Sequence, residues 1–272
     1  MKLVVSNIAW TKEEEPKVAE MLRQLGVKFI EIAPTKQWPD PTKATHKDIE
    51  EYITFWQSYN IQVVAFQSML FTRPDLKIFE SDDNRRSTLK YLEDFIDLAG
   101  KMGAQVMVFG SPKNRQKGKM PNSEATTIAK YFFKALGDRA QQKNVCFCIE
   151  PNPQVYACDF ITTASEGIRF VNEVDNTGFG LHLDIAGMSL AGDDIASSIK
   201  KAAPILRHFH VSSPMLEQVE DRADINHRDA AKTLKSIGYN GYVSIEMRPG
   251  QTGENIYRVE KAVCFTQSIY NS

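Results

Sequence analysis

Short apolar runs alternate with longer amphipathic stretches along the whole chain, and this alternation limits the fold more than any other feature of the sequence. KLVVSNI (2–8), VKFIEI (27–32), IQVVAF (61–66), AQVMVFG (104–110), VCFCIE (145–150), FGLHLD (179–184), ILRHFHV (205–211) and YVSIE (242–246) have the length and composition of strands buried on both faces. Helical periodicity is expected over 13–25, 46–59, 84–102, 123–142, 165–174 and 229–237, with a last helix over 255–269. Eight β-then-α units with no Pro/Gly-rich linker make residues 1–272 one unit, a single (β/α)8 TIM barrel. An open doubly wound sheet is the alternative, but its nucleotide-binding forms carry GxGxxG or GxxxxGK[ST], and neither is present. Four connections after strands are long (33–45, 67–80, 111–122 and 212–228), and in a barrel they share the C-terminal face, where active sites are built.

Composition narrows the class. With 33 basic and 34 acidic residues the net charge is −1, without the basic excess of a general nucleic-acid binder. The first apolar run is short and interrupted by Ser6 and Asn7, unlike a signal peptide, and no run approaches the ~18 apolar residues of a membrane span. The expectation is a cytoplasmic protein without nucleic-acid or membrane partners. Cys146 and Cys148 are expected on opposite faces of one strand, and all four cysteines as reduced thiols without a CxxC pair.

The strand ends carry the chemistry. The fifth strand ends at Glu150, the sixth at Asp184, the seventh at His210 and the eighth at Glu246, and a carboxylate is rarely buried without a partner or a metal. Two residues earlier lie Cys148, His182, His208 and Ser244, expected as a semi-polar layer beneath a single level of Glu, Asp, His and Glu. Three converging carboxylates repel one another, and a divalent cation with His210 as a further ligand removes that conflict. Oxygen-rich coordination with one imidazole suits Mn2+ foremost, with Mg2+, Co2+ or Zn2+ as alternatives. His182 and His208 read as supporting residues rather than ligands.

Four motifs in order, IEPNP (149–153), HLDIAG (182–187), HFHVSS (208–213) and YVSIEMRP (242–249), resemble those of the sugar phosphate isomerase/epimerase superfamily of xylose-isomerase-like barrels. That group includes ketose 3-epimerases, hydroxypyruvate isomerases, inosose dehydratases and endonuclease IV. LAGKMGAQVMVFGSP (98–112) is similar to the family's third-helix-to-fourth-strand segment, so the likeness spans nearly the whole chain. The resemblance implies that Glu150, Asp184, His210 and Glu246 hold one divalent metal. It also implies that Glu150 and Glu246 move protons on a keto sugar or sugar phosphate through a cis-enediolate, and that a homodimer is common.

Asn152, Arg222, Arg248, His182, Trp10 and Arg115 are the candidate substrate contacts. Arg222 matches the loop where epimerases place a substrate-binding arginine, Arg115 lies in a basic loop suited to phosphate or carboxylate, and Trp10 could wall a sugar. Two departures from the family stand out: Gly187 occupies a position where many epimerases have histidine, and His210 is followed by Val211, Ser212 and Ser213 rather than reaching an acid. They leave open a dehydratase of a keto-inositol or keto-acid substrate, or a catalytically incomplete metal- and sugar-binding barrel. The nuclease's extra histidines are missing, since the third strand ends in Phe66-Gln67 and the fourth in Gly110-Ser111.

Overall fold

A computed structural model describes residues 1–271. Eight parallel strands, β1 (Lys2–Ser6), β2 (Phe29–Ile32), β3 (Gln62–Phe66), β4 (Val106–Phe109), β5 (Cys146–Ile149), β6 (Phe179–Asp184), β7 (Leu206–Ser212) and β8 (Tyr242–Glu246), close in sequence order into a barrel. The main helices are α1 (Glu15–Gln24), α2 (Pro34–Gln37), α3 (His46–Ser58), α4 (Asp82–Met102), α5 (Asn122–Gln142), α6 (Ala164–Val174), α7 (Ile185–Ala191), α8 (Ile195–Ala202), α9 (His227–Ser236) and α10 (Asn255–Thr266). The (β/α)8 reading therefore holds. Two helices follow β6 where none was expected: Asp184 caps α7 directly, and Asp194 caps α8. Among the described residues no helix is long and apolar enough to cross a membrane.

Local chemistry fixes the helix ends. Thr45 and Asp48 form a reciprocal capping box at α3, Ser81 caps α4, and Gly103 closes α4 at φ 74°. Most apolar side chains pack between the sheet and the helices, as with Phe109, Phe133, Phe147 and Phe179. A smaller cluster inside the barrel, including Val4, Val64, Val106, Val108 and Tyr242, plugs it, so the interior is packed and not a pore.

One expectation is corrected here. Cys146 and Cys148 share a face, with their Sγ atoms 3.8 Å apart, because strand side chains alternate and residues two apart point the same way. The ladder register runs obliquely around the barrel: Asp184 pairs with His210 and His182 with His208, while Cys148 pairs with Gly180, His208 also with Tyr242, and Glu246 with Ser212. Barrel strands tilt by about 36°, so residues level along the axis are not ladder neighbours. Side-chain reach then brings the strand ends together.

Helices sit close to the sheet where glycines permit it. A Cβ on Gly178, just before β6, would stand 2.1 Å from the Gly137 carbonyl oxygen of α5, and backbone cannot retreat as a flexible side chain can. Gly178→Ala is expected to lower stability by about 2–3 kcal/mol in urea titration, in the range of overpacked cores. An unchanged midpoint would show that α5 can shift freely.

Candidate metal centre and active site

Each candidate ligand is placed by the end of its strand. Glu150 follows β5, its N–H donating to the Phe109 carbonyl at 3.1 Å. A Cβ on Gly110 would lie 2.4 Å from Glu150 Oε2, so a glycine after β4 makes room for this carboxylate. Asp184 accepts the Gly187 N–H and the Ser212 hydroxyl. His210 is wholly buried; its Nε2 meets Glu31 Oε2 at 2.9 Å and its Nδ1 lies 3.2 Å from Glu246 Oε2. Glu150, Asp184 and His210 each offer a ligating atom within 4.8 Å of the others, and Glu246 adjoins them through His210.

The donor set fits a divalent cation. His210 Nδ1 is buried, points into the acid cluster and lies 3.2 Å from Glu246 Oε2. Burial, then the charges of Glu246 and Asp184, push the Glu150 carboxyl up to about 8, and burial and Glu246 push Asp184 up to about 6. Burial opposes the His210 charge, but Glu246 and Glu31 outweigh it and lift its pKa well above the usual imidazole value. The protein's own charges therefore leave the acids short of positive charge, with an imidazolium supplying part of it.

Glu31 was missed by reading strand ends alone, because it lies one residue before the end of β2. It is fully buried, accepts from Ser244 Oγ at 2.7 Å and pairs with His210; burial opposes its ionisation, yet His210 and His208 hold it at about 2. The signal was present, since VKFIEI buries an acid in a strand just as VCFCIE does. His182, His208 and His210 form a second group of ligand types one layer deeper. His182 and His208 are tied Nδ1 to Nδ1 at 3.1 Å, and burial keeps both rings neutral, with His208 down at about 4. The carboxylate group above them is the better cation site.

A cavity of about 420 Å3 opens over the acids, lined among others by Gln67, Asn152, Tyr156, Ser213, Met215 and Arg248. Of the candidate substrate contacts, Asn152 and Arg248 line it. Four do not. Trp10 is core, 6.3 Å from the Trp56 ring with Lys36 Nζ over its face. His182 is buried below the acids. Arg222 lies outside the mouth, bonded to Asp224 at 2.9 and 3.0 Å and to Glu217 at 3.2 Å. Arg115 is fully buried beneath the β5 turn, where its guanidinium donates to Glu150 O at 2.6 Å, Asn152 Oδ1 at 3.1 Å and Ile161 O at 3.4 Å. It props the turn that carries Glu150 and does not meet solvent.

Backbone strain gathers at the same mouth. Ser68, Ser111, Met215 and Leu216, all lining it, are non-glycine residues at φ 56°, 39°, 58° and 56°. Each such residue costs about 1–3 kcal/mol, and such strain concentrates at functional sites. A larger cavity, about 590 Å3, lies between Asn122 at the start of α5 and Arg169 and Phe170 of α6, away from the converging acids.

The family model described as xylose isomerase-like TIM barrel matches residues 19–265. A D-psicose 3-epimerase of Ruminiclostridium cellulolyticum is 34% identical over 120 residues, 43% of this chain and 40% of that protein, so the match spans about two fifths of its length. An L-ribulose 3-epimerase of Methylomonas sp. is 21% identical over 87% of this chain and 79% of its own. The crystal structure of D-psicose 3-epimerase with D-tagatose from Clostridium cellulolyticum H10 superposes at a TM-score of 0.81, with 19% identity over 99% of both chains.

Two expected outcomes follow from the charges. Between about pH 7.5 and 8.5 the folded metal-free protein holds protons at Glu150 and His210 that the unfolded chain has largely released, whereas His182, His208 and His227 are by then largely neutral in both states. Its melting temperature should therefore fall as pH rises through this window, and Mn2+ should raise it more at pH 8 than at 6.5. A flat or rising profile in scanning calorimetry would contradict the raised pKa values. Glu31→Gln, which removes the carboxylate behind His210, should weaken Mn2+ binding roughly 10–100-fold by titration calorimetry; unchanged affinity would separate Glu31 from the centre.

Proposed function

The chain belongs to the xylose isomerase-like TIM barrel family, and from that premise we propose that it is a divalent-metal-dependent isomerase or epimerase of a small keto sugar or sugar phosphate. The observation that carries this reading is the meeting of Glu150 and Glu246 in one cavity with Asp184 and His210 beside them. β5 and β8 stand three places apart in a ring of eight strands, so the two glutamates enter from well-separated walls.

Glu150, Asp184, His210 and Glu246 would hold the cation, Mn2+ foremost. When bound, it would offset the crowded carboxylate charge and acidify the C–H between a carbonyl and a hydroxyl. Glu150, raised in pKa by its surroundings, is suited to take that proton. The C–H electron pair moves toward the carbonyl, giving a cis-enediolate. Glu246 returns a proton, to the opposite face of the same carbon in an epimerisation or to the neighbouring carbon in an isomerisation. Asn152, fixed by Arg115, offers its amide to a substrate oxygen. Ser212 and the Gly187 N–H hold Asp184 in place. Gly187 stands where many epimerases have histidine, and a Cβ there would meet Asp184 Oδ1 at 3.1 Å, so the contact that histidine makes with substrate has no counterpart at this position.

The test is incubation of Mn2+-loaded protein in D2O with ketoses, keto-inositols and their phosphates, read by NMR and mass spectrometry. A gain of one deuterium with altered stereochemistry or carbonyl position supports the reading, and loss of water assigns a dehydratase instead. Glu150→Gln and Glu246→Gln should each slow exchange on the order of 10²–10⁴-fold. Full exchange and turnover in Glu246→Gln would remove it as the second proton carrier.

A further inference from the structure

Once the acids of the floor have their roles, the rim of the mouth still holds an exposed guanidinium, a phenol and a strained dipeptide that joins them. Arg248 lies two residues past Glu246, is exposed and lines the cavity, and among the described residues no carboxylate pairs with its guanidinium. Nearby Arg222 shows the opposite state, held by Asp224 and Glu217. Arg248 is thus the cation of the mouth that stays available.

Met215 and Leu216 adopt left-handed φ values of 58° and 56°, which neither side chain favours. Their peptide groups make two bonds across the rim. The Met215 N–H donates to the Tyr156 hydroxyl at 3.0 Å, and the Leu216 carbonyl accepts the Arg248 N–H at 2.7 Å. Residues from the loops after β5 and β8 are thereby fixed against one segment after β7. A phenol that accepts from Met215 keeps its own O–H for another acceptor. The strained segment therefore anchors the backbone of Arg248 and the hydroxyl of Tyr156, residues that line the open end of the cavity.

The charge layout gives this end a direction. Carboxylates of Glu150, Asp184 and Glu246 line the floor, while Arg248 stands at the rim. A ligand with a neutral polyol end and an anionic end is admitted one way round: the anion is repelled by the floor and attracted to the rim. A guanidinium fork and a phenol hydroxyl lining one cavity offer donors for the paired oxygens of a carboxylate or phosphate. We propose that Arg248 and Tyr156 form a subsite for an anionic group, phosphate or carboxylate, at the end of the substrate remote from the carbon that exchanges its proton. The substrate is then an acidic keto sugar and not a neutral ketose. This deepens the proton-transfer reading of the floor and rests on it.

The test compares Mn2+-loaded wild type, Arg248→Ala, Arg248→Lys and Tyr156→Phe on D-fructose, D-fructose 6-phosphate and 5-keto-D-gluconate. Deuterium exchange is read by NMR and equilibrium binding by titration calorimetry. Wild type is expected to favour one anionic probe over fructose at least tenfold, in KM and in binding, and the favoured probe separates phosphate from carboxylate. Arg248→Ala should erase that preference, Arg248→Lys should retain part of it, and Tyr156→Phe should reduce it severalfold. Equal or better binding of fructose, or a preference that survives Arg248→Ala, overturns the subsite. Exchange on fructose alone overturns the subsite and leaves the reaction standing. Arg248-dependent binding of an anion without exchange on any probe supports the subsite and overturns the reaction. Neither binding nor exchange of either anion overturns the subsite.

Discussion

The pairing of Glu31 with His210 inside the barrel is the interaction on which the mouth depends. Taking two opposite charges out of water costs several kcal/mol per ion, and their attraction repays it only with good geometry and further hydrogen bonds. Here those bonds are present: Ser244 donates to the same Glu31 oxygen, and Gln67 adds a longer contact at 3.4 Å. The result is orientation. With Nε2 of His210 committed to Glu31, Nδ1 is the nitrogen left to face Glu150, Asp184 and Glu246. A carboxylate behind a histidine in this way both fixes the ring and makes its other nitrogen a better donor. His182 and His208, bonded to each other and kept neutral by burial, fill the space below, with His208 Nε2 3.9 Å from Glu31 Oε1.

Above that pair, the charges explain one another. Three carboxylates against one imidazolium leave a deficit of positive charge, and the shift falls most heavily on Glu150, which faces both Glu246 and Asp184. Arg115 relieves some of it from behind, with its guanidinium under the turn and no carboxylate in hydrogen-bonding contact. A buried cation spent on backbone and amide oxygens is an expensive way to hold a loop. It makes sense where the loop carries a carboxylate that must be both precisely placed and able to change protonation state.

The fold was legible because each strand is buried on both faces and so announces itself as a continuous apolar run. The acids at β5, β6 and β8 and His210 were legible because polar groups ending such runs contradict their surroundings. Glu31 obeys the same logic but sits within its run, and reading only last residues passed over it. α7 and α8 were missed because IAGMSLA and IASSIKKA, at 7 and 8 residues, are too short to stand out as helical stretches, and their caps, Asp184 and Asp194, look like loop residues. Arg115, Arg222 and Trp10 illustrate a different limit. Their positions after strand ends put them on the right face of the barrel, but which way a loop side chain turns is decided by neighbours distant in sequence, such as Ile161 for Arg115 and Trp56 for Trp10.

Floor and rim differ in how they are built, and the difference bears on what the molecule selects. The floor stands on strand ends, where closure of the barrel fixes each backbone position and the side chains have little freedom. The rim is made of loops whose backbone is held in unfavourable conformations at Ser68, Ser111, Met215 and Leu216. Strain of that kind persists only where surrounding contacts impose it, and here the contacts run between loops after different strands. The proposed proton-transfer chemistry is thus tied to the part of the fold least able to vary. On the same reading the choice of substrate is tied to the part most able to, and Arg248 marks the boundary, two residues beyond Glu246, the last residue of the floor.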